Sequence, residues 1–120
     1  MTNNPNLRAC LRCKKIFINR GAIKLLGNPT HLSFQYDNLE RVLFVAPANS
    51  KDLDAFEIPY FYWHGTNKQC EIARIAFLRA LQYRLGWKDG SKYCFSGTVT
   101  VLNETQMIVF PLTGESVDWK

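Results

Sequence analysis

One plan occurs twice in this chain and constrains it more than any other feature. Residues 14–47 read as a basic strand, a short helical turn ending at Leu26-Gly27, and a hairpin of strands 32–36 and 41–45 turning at Asp37-Asn38. Residues 70–111 repeat it more loosely, with an apolar helix ending at Leu85-Gly86, a turn, and strands over 93–102 and 106–110. Each copy sets Leu-Gly before a turn and closes on an aromatic strand end followed by Pro, Phe44-Val45-Ala46-Pro47 and Val109-Phe110-Pro111. The expected class is α+β, mainly β, built from two pseudo-repeated strand-helix-hairpin halves. A chain of 120 residues forms one such domain over 1–120. Within it we expect half-units at 8–47 and 56–112, a linker at 48–55 and a polar tail at 113–120.

Taken in order, residues 1–7 read as an Asn-rich arm interrupted by Pro5. Residues 10–18 favour one strand with Leu11, Cys13 and Phe17 on one parity, broken by Lys15. Asn19 suits an N-cap, and Gly27 with Asn28-Pro29 stops the helix that follows. Leu32, Phe34 and Tyr36 alternate with Ser33 and Gln35, whereas Val42-Leu43-Phe44-Val45 is apolar throughout and predicts burial on both faces. The aromatic run Tyr60, Phe61, Tyr62, Trp63 reads as a strand packed over the core, although bases can stack on such rings. Residues 72–85 predict a helix apolar around most of its circumference, and hence buried between layers. Its Arg74, Arg79 and Arg84 recur every five residues and so cannot line one stripe. Asn103-Glu104 turns the last hairpin.

Charge is distributed unevenly. Six basic residues (Arg8, Arg12, Lys14, Lys15, Arg20, Lys24) and no acid precede Asp37, while the remainder holds nine basic and ten acidic residues. The whole net charge of +5 therefore resides in the first third. That asymmetry predicts a phosphate-facing surface, the alternative being a solvated face that happens to be basic.

Chemistry of other kinds has little support. The chain lacks G-x-S-x-G, a phosphate-cradling glycine loop, a dinucleotide fingerprint and H-E-x-x-H, so we expect no enzyme and no cofactor. Cys10 and Cys13 form a lone C-x-x-C, Cys70 and Cys94 stand apart, and His31 and His64 are isolated, which predicts no metal site. Four reduced, mostly buried thiols and a polar N-terminus fit a cytoplasmic protein. No apolar run reaches the ~18 residues of a membrane helix.

With these residues in view, the half-unit plan resembles the AbrB/SpoVT-type swapped-hairpin family, small DNA-binding regulators of bacteria and phages that include MazE-like antitoxins. Lys14-Lys15 stands where that family has Gly-Arg, Ile16-Phe17-Ile18 is its apolar triplet, and Leu26-Gly27 falls at the family's distance from it. Lys15 and Lys24 match basic residues that face DNA in the family. Asn19 replaces the family's Pro, Ile23 replaces a second basic residue, and Ala73-Arg74 would take the Gly-Arg place in the second half. The resemblance implies a swapped-hairpin, AbrB-like barrel that one chain with both halves completes alone; the apolar helix offers a face for homodimerisation.

Two functional expectations result. The first is a non-enzymatic DNA-binding protein, a bacterial or phage transcriptional regulator holding double-stranded DNA through Arg8, Arg12, Lys14, Lys15, Arg20 and Lys24. The second is a protein-interaction module, such as an antitoxin or a phage-encoded inhibitor of a host nucleic-acid enzyme. It would present the same basic face to an acidic protein, or Tyr60, Phe61, Tyr62 and Trp63 as anchors.

Overall fold

The first strand, β1 (Asn4–Arg12), turns back immediately into β2 (Lys15–Asn19), and the two pair antiparallel with Arg12 opposite Lys15. The computed structural model describes residues 4–12, 15–52, 55–65, 69–72, 77–86, 93–112 and 117–118. Two expectations change here. The arm is strand from Asn4 onward, with Leu7 in the core, and its register shifts between Asn4 and Arg8 around Pro5, which has no N–H to give. The single strand expected over 10–18 is a hairpin, so parity reverses across it. Leu7, Ala9 and Leu11 point inward from β1, but Ile16 and Ile18 do so from β2, leaving Phe17 half-buried and Lys15 outside. Burying each of those isoleucines contributes about 1.5–3 kcal/mol, which sets this register over one slipped by a residue.

Asn19 occupies the N-cap of α1 (Arg20–Leu25) with extended backbone but no side-chain cap bond. Ala22, Ile23 and Leu26 form its buried face, packed on β1 and β2. Gly27 follows at φ 88°, where Gly27 N–H donates to Lys24 C=O and Asn28 N–H donates to Ile23 C=O. That pair of bonds is a Schellman closure, and it needs the left-handed residue that glycine supplies without strain.

The hairpin β3 (His31–Asp37) and β4 (Val42–Ala48) pairs along its full length, as its alternation predicts. Leu32 and Phe34 face the core from β3. In β4 only Leu43 and Val45 do, while Val42 and Phe44 are half-exposed, so the expected burial on both faces does not occur. A short edge strand, β5 (Ala55–Glu57), joins β3, with Phe56 tilted against Phe34 at 5.6 Å between ring centres.

The aromatic run folds as a helix, α2 (Tyr60–His64), and not as the strand its composition suggests. Pro59 holds φ at −60° just ahead of it, the geometry from which a helix starts. The expected long helix over 72–85 also divides. Its head belongs to β6 (Gln69–Ile72), which pairs with β2, and the helix is α3 (Phe77–Leu85). Leu78 is buried, but Arg79, Tyr83 and Arg84 are exposed, so α3 lies on the surface and is not sandwiched between layers. Ile75 and Arg74 lie outside the described residues.

β7 (Tyr93–Leu102) and β8 (Thr105–Pro111) form the last hairpin, turned by Asn103 at φ 50° and Glu104 at φ 66°. Two consecutive positive φ values mark the two-residue turn that matches strand twist. A final two-residue strand, β9 (Val117–Asp118), also pairs with β7.

All pairings are antiparallel, in the order β5-β3-β4-β8-β7-β1-β2-β6. The molecule is mainly β with few short helices. Among the described residues the sheet does not close, because β5 and β6 stand at its two ends. The run β2-α1-β3-β4 recurs as β6-α3-β7-β8, and counterparts pair with one another: β2 with β6, and β4 with β8. The preceding strands exchange likewise, β1 joining β7 and β5 joining β3. Gly27 and Gly86, both at positive φ, end the two corresponding helices.

Candidate nucleic-acid interface

The basic first third of the chain folds onto three elements in mutual contact, β1, β2 and α1. Arg8 and Arg12 occupy β1, their backbones opposite Ser96 and Lys15; their side chains, like Lys14 as a whole, lie outside the described residues. Lys15, Arg20 and Lys24 can be placed in full.

Lys15 stands on the outer side of β2, and β6 brings Glu71 beside it through the register Phe17 opposite Glu71. Lys15 Nζ lies 2.9 Å from Glu71 Oε1, with the two side chains 49% and 47% exposed. Solvent screens such a pair to about 0–1 kcal/mol, so a phosphate can compete for the ammonium. The cation is nonetheless opposed by a carboxylate that its local sequence does not contain.

Arg20 opens α1 and is half-buried, its guanidinium carbon 5.3 Å from the centre of the Tyr62 ring. This cation–π contact ties α1 to α2. Burial pushes the Tyr62 phenol above its ordinary value, the Arg20 charge pulls it back, and Cys70 adds to the rise. Lys24 is exposed in the last turn of α1, where a cation suits the helix C-terminus. Among the described residues it has no ion-pair partner.

Helical spacing divides the aromatic run between inside and outside. Tyr62 is 5% exposed, whereas Tyr60 is 68% and Trp63 40% exposed; the Phe61 side chain lies outside the described residues. Tyr60 stacks on His64 with ring centres 4.0 Å apart at 26°, and Trp63 meets Tyr62 edge-on at 4.9 Å. The Arg20–Tyr62 contact was not foreseeable from spacing, since the two residues are far apart in sequence and meet only because both helices pack on β6.

The four reduced thiols expected of the cysteines do not all occur. Cys94 is disulfide-bonded, not a free thiol; its backbone on β7 is in register with Cys10 of β1, which the sequence separation hides. Cys70 is free and fully buried, and burial first, with Glu71 second, pushes its thiol up to about 12. Cys13 lies outside the described residues. No cluster of three or more potential metal ligands occurs among the described residues. His31 Nδ1 is 2.9 Å from Thr30 Oγ1. A shallow open depression lies at the β3–β4 turn, lined by Gln35, Tyr36, Asp37, Asn38, Leu39 and Phe44. No described helix is long and apolar enough to cross a membrane.

Neither protein-family models nor curated proteins nor solved structures yield a match to this chain.

Proposed function

We propose that this chain is a non-enzymatic DNA-binding protein, a bacterial or phage regulator of the swapped-hairpin, AbrB-like kind, that holds phosphates with its basic first third. One observation carries the reading. The acid-free segment ahead of Asp37 supplies β1, β2 and α1, which pack on one another, and Lys15, Arg20 and Lys24, the cations among the described side chains, stand on these adjoining elements. The exchange of counterpart strands between the two runs of the chain supports the swapped-hairpin arrangement. Phosphate contacts position a protein on DNA; with no long reading helix, selectivity would come from strand and loop side chains and from DNA shape.

The test is a duplex titration across salt. Neutralising four or five phosphates gives a slope of log K against log salt of about −4, and Lys15→Ala or Lys24→Ala each makes it shallower by about 0.9. Affinity independent of salt overturns the reading.

The exposure of Tyr60 and Trp63 favours a second reading, a protein-interaction module that docks an acidic protein on the same side. A pull-down from host lysate that retains one partner in competition with duplex DNA, and loses it in Lys24→Ala, supports that reading instead.

A further inference from the structure

β4 is apolar on both sides, yet the chain covers only one of them. Leu43 and Val45 enter the core beside Ile108 and Phe110 of β8, while Val42 and Phe44 point the other way. On that second side of β3, β4, β8 and residues 98–102 of β7, no described residue is buried. Phe44 stands opposite Gln35 of β3 and Val109 of β8, so an apolar stripe runs from Val42 through Phe44 and Val109 to Met107 and half-exposed Leu102. α1 and α2 pack principally on β1, β2 and β6. At the margin the β3–β4 turn holds Leu39 in solvent, 93% exposed, at the rim of the depression lined by Gln35, Tyr36 and Phe44.

We propose that this side is an interface for a second copy of the chain, the two sheets meeting face to face about a two-fold axis with Leu39 of each copy set in the other's depression. The charge pattern selects that occupant. β3, β4, β7 and β8 contain no lysine or arginine and, in Asp37, a single acid, although the chain as a whole is at +5. A polyanion finds no cation here, and neither does an acidic protein. A copy of the same neutral face meets it without repulsion. A two-fold axis also requires knob and hollow on one patch, and Leu39 with its depression supplies both. Glu40 and Arg41, exposed next to Leu39 and opposite in sign, can then pair crosswise between copies. Four strands ~4.8 Å apart and about six residues long offer a face of roughly 400 Å², so the pair buries on the order of 800–1,000 Å² with the turns included. That is the weak end of specific association, with a dissociation constant on the order of tens of micromolar. The inference is independent of phosphate binding, which uses β1, β2 and α1.

Sedimentation velocity of the full chain between ~5 and ~500 µM tests the interface. The wild type should pass from monomer to dimer across that range. Gln35→Lys and Leu39→Lys, both at exposed positions, should each raise the dimer dissociation constant at least about tenfold, because the two-fold axis brings two like charges into one apolar interface. Both variants should keep the wild-type urea midpoint measured at ~1 µM, which shows that they fold. Tyr83→Lys, on the exposed side of α3, should leave the dimer unchanged. A wild type that stays monomeric to ~500 µM overturns the inference. So does a dimer indifferent to both sheet substitutions, or one lost with Tyr83→Lys, which would assign it to α3. If the wild type stays monomeric and the sheet substitutions instead abolish binding of a different protein, the face belongs to that protein and the inference is likewise overturned.

Discussion

Lys15 and Glu71 lie 2.9 Å apart across the β2–β6 pair, diagonal to the register in which Phe17 faces Glu71. Diagonal neighbours on one face of an antiparallel pair are within reach of long side chains. The contact joins a cation of the acid-free segment to an acid from the distant half of the chain. It also sets a threshold for any phosphate that would use Lys15.

Glu71→Gln removes that competitor. Duplex affinity should rise about threefold at low salt, with the salt slope unchanged because Lys15 already meets phosphate, and with folding stability changed by less than about 1 kcal/mol. Unchanged or weaker binding in a titration against wild type would mean that Lys15 does not meet phosphate.

Gly97 marks the point on β7 where pairing with β1 gives way to pairing with β8. A Cβ there would lie 2.6 Å from Ile108 Cγ2 and 2.7 Å from Phe110 Cε1, both in fully buried side chains. Gly97→Ala should therefore cost about 1–3 kcal/mol by overpacking, measured as a lower midpoint in urea. A neutral result would show that the two strands can part here without loss.

Cys70 gives the fold an alkaline limit. Its thiol ionises near 9 in the unfolded chain and near 12 when folded, so the folded state keeps a proton that the unfolded state releases. The stabilisation is complete below pH 9 and is lost as pH rises toward 12, with a slope approaching ~1.4 kcal/mol per pH unit. Tyr62, also raised, acts in the same direction above its ordinary value of 10.0. Denaturation midpoints followed from neutral to alkaline pH should fall steeply above pH 9 in wild type and less so in Cys70→Ala. Parallel curves for the two proteins would show that another group controls the alkaline transition.

Asp37 orders the β3–β4 turn, its Oδ1 accepting from the backbone N–H of Leu39 at 2.9 Å and of Glu40 at 3.2 Å. Asp37→Ala should cost about 1 kcal/mol and Asp37→Asn less, because an amide oxygen can still accept. Equal losses in chemical denaturation would show that the carboxylate's charge is what counts.

How far the sequence could be read depended on how local each determinant was. The two later hairpins were legible because alternation and turn residues sit side by side, Leu32, Phe34 and Tyr36 before Asp37, and Asn103-Glu104 between β7 and β8. The β1–β2 hairpin was not, since its two connecting residues, Cys13 and Lys14, carry no glycine or asparagine signal, and Lys15 reads as an interruption rather than a new strand. Ile72 was read as helix because apolar density there is high, yet pairing with Ile16 makes it strand, a tertiary choice over local propensity. Tyr60 to Trp63 attracted a strand reading through aromatic content, against the helix start that Pro59 provides. For the candidate site, the clustering of cations was visible in sequence; Glu71 beside Lys15 and Tyr62 beneath Arg20 were not, because each arrives from another part of the chain.

The exchange of strands between the two runs has a consequence for how this molecule holds together. Because β1 completes its sheet on β7 and β5 completes its sheet on β3, neither run owns a finished edge. Two separate polypeptides with this interlacing would have to find each other, and dilution would take them apart. Covalent continuity through residues 49–54 makes that meeting intramolecular, so the docking of one run on the other adds no dilution dependence of its own, whereas a chain nicked there acquires that of an ordinary bimolecular complex.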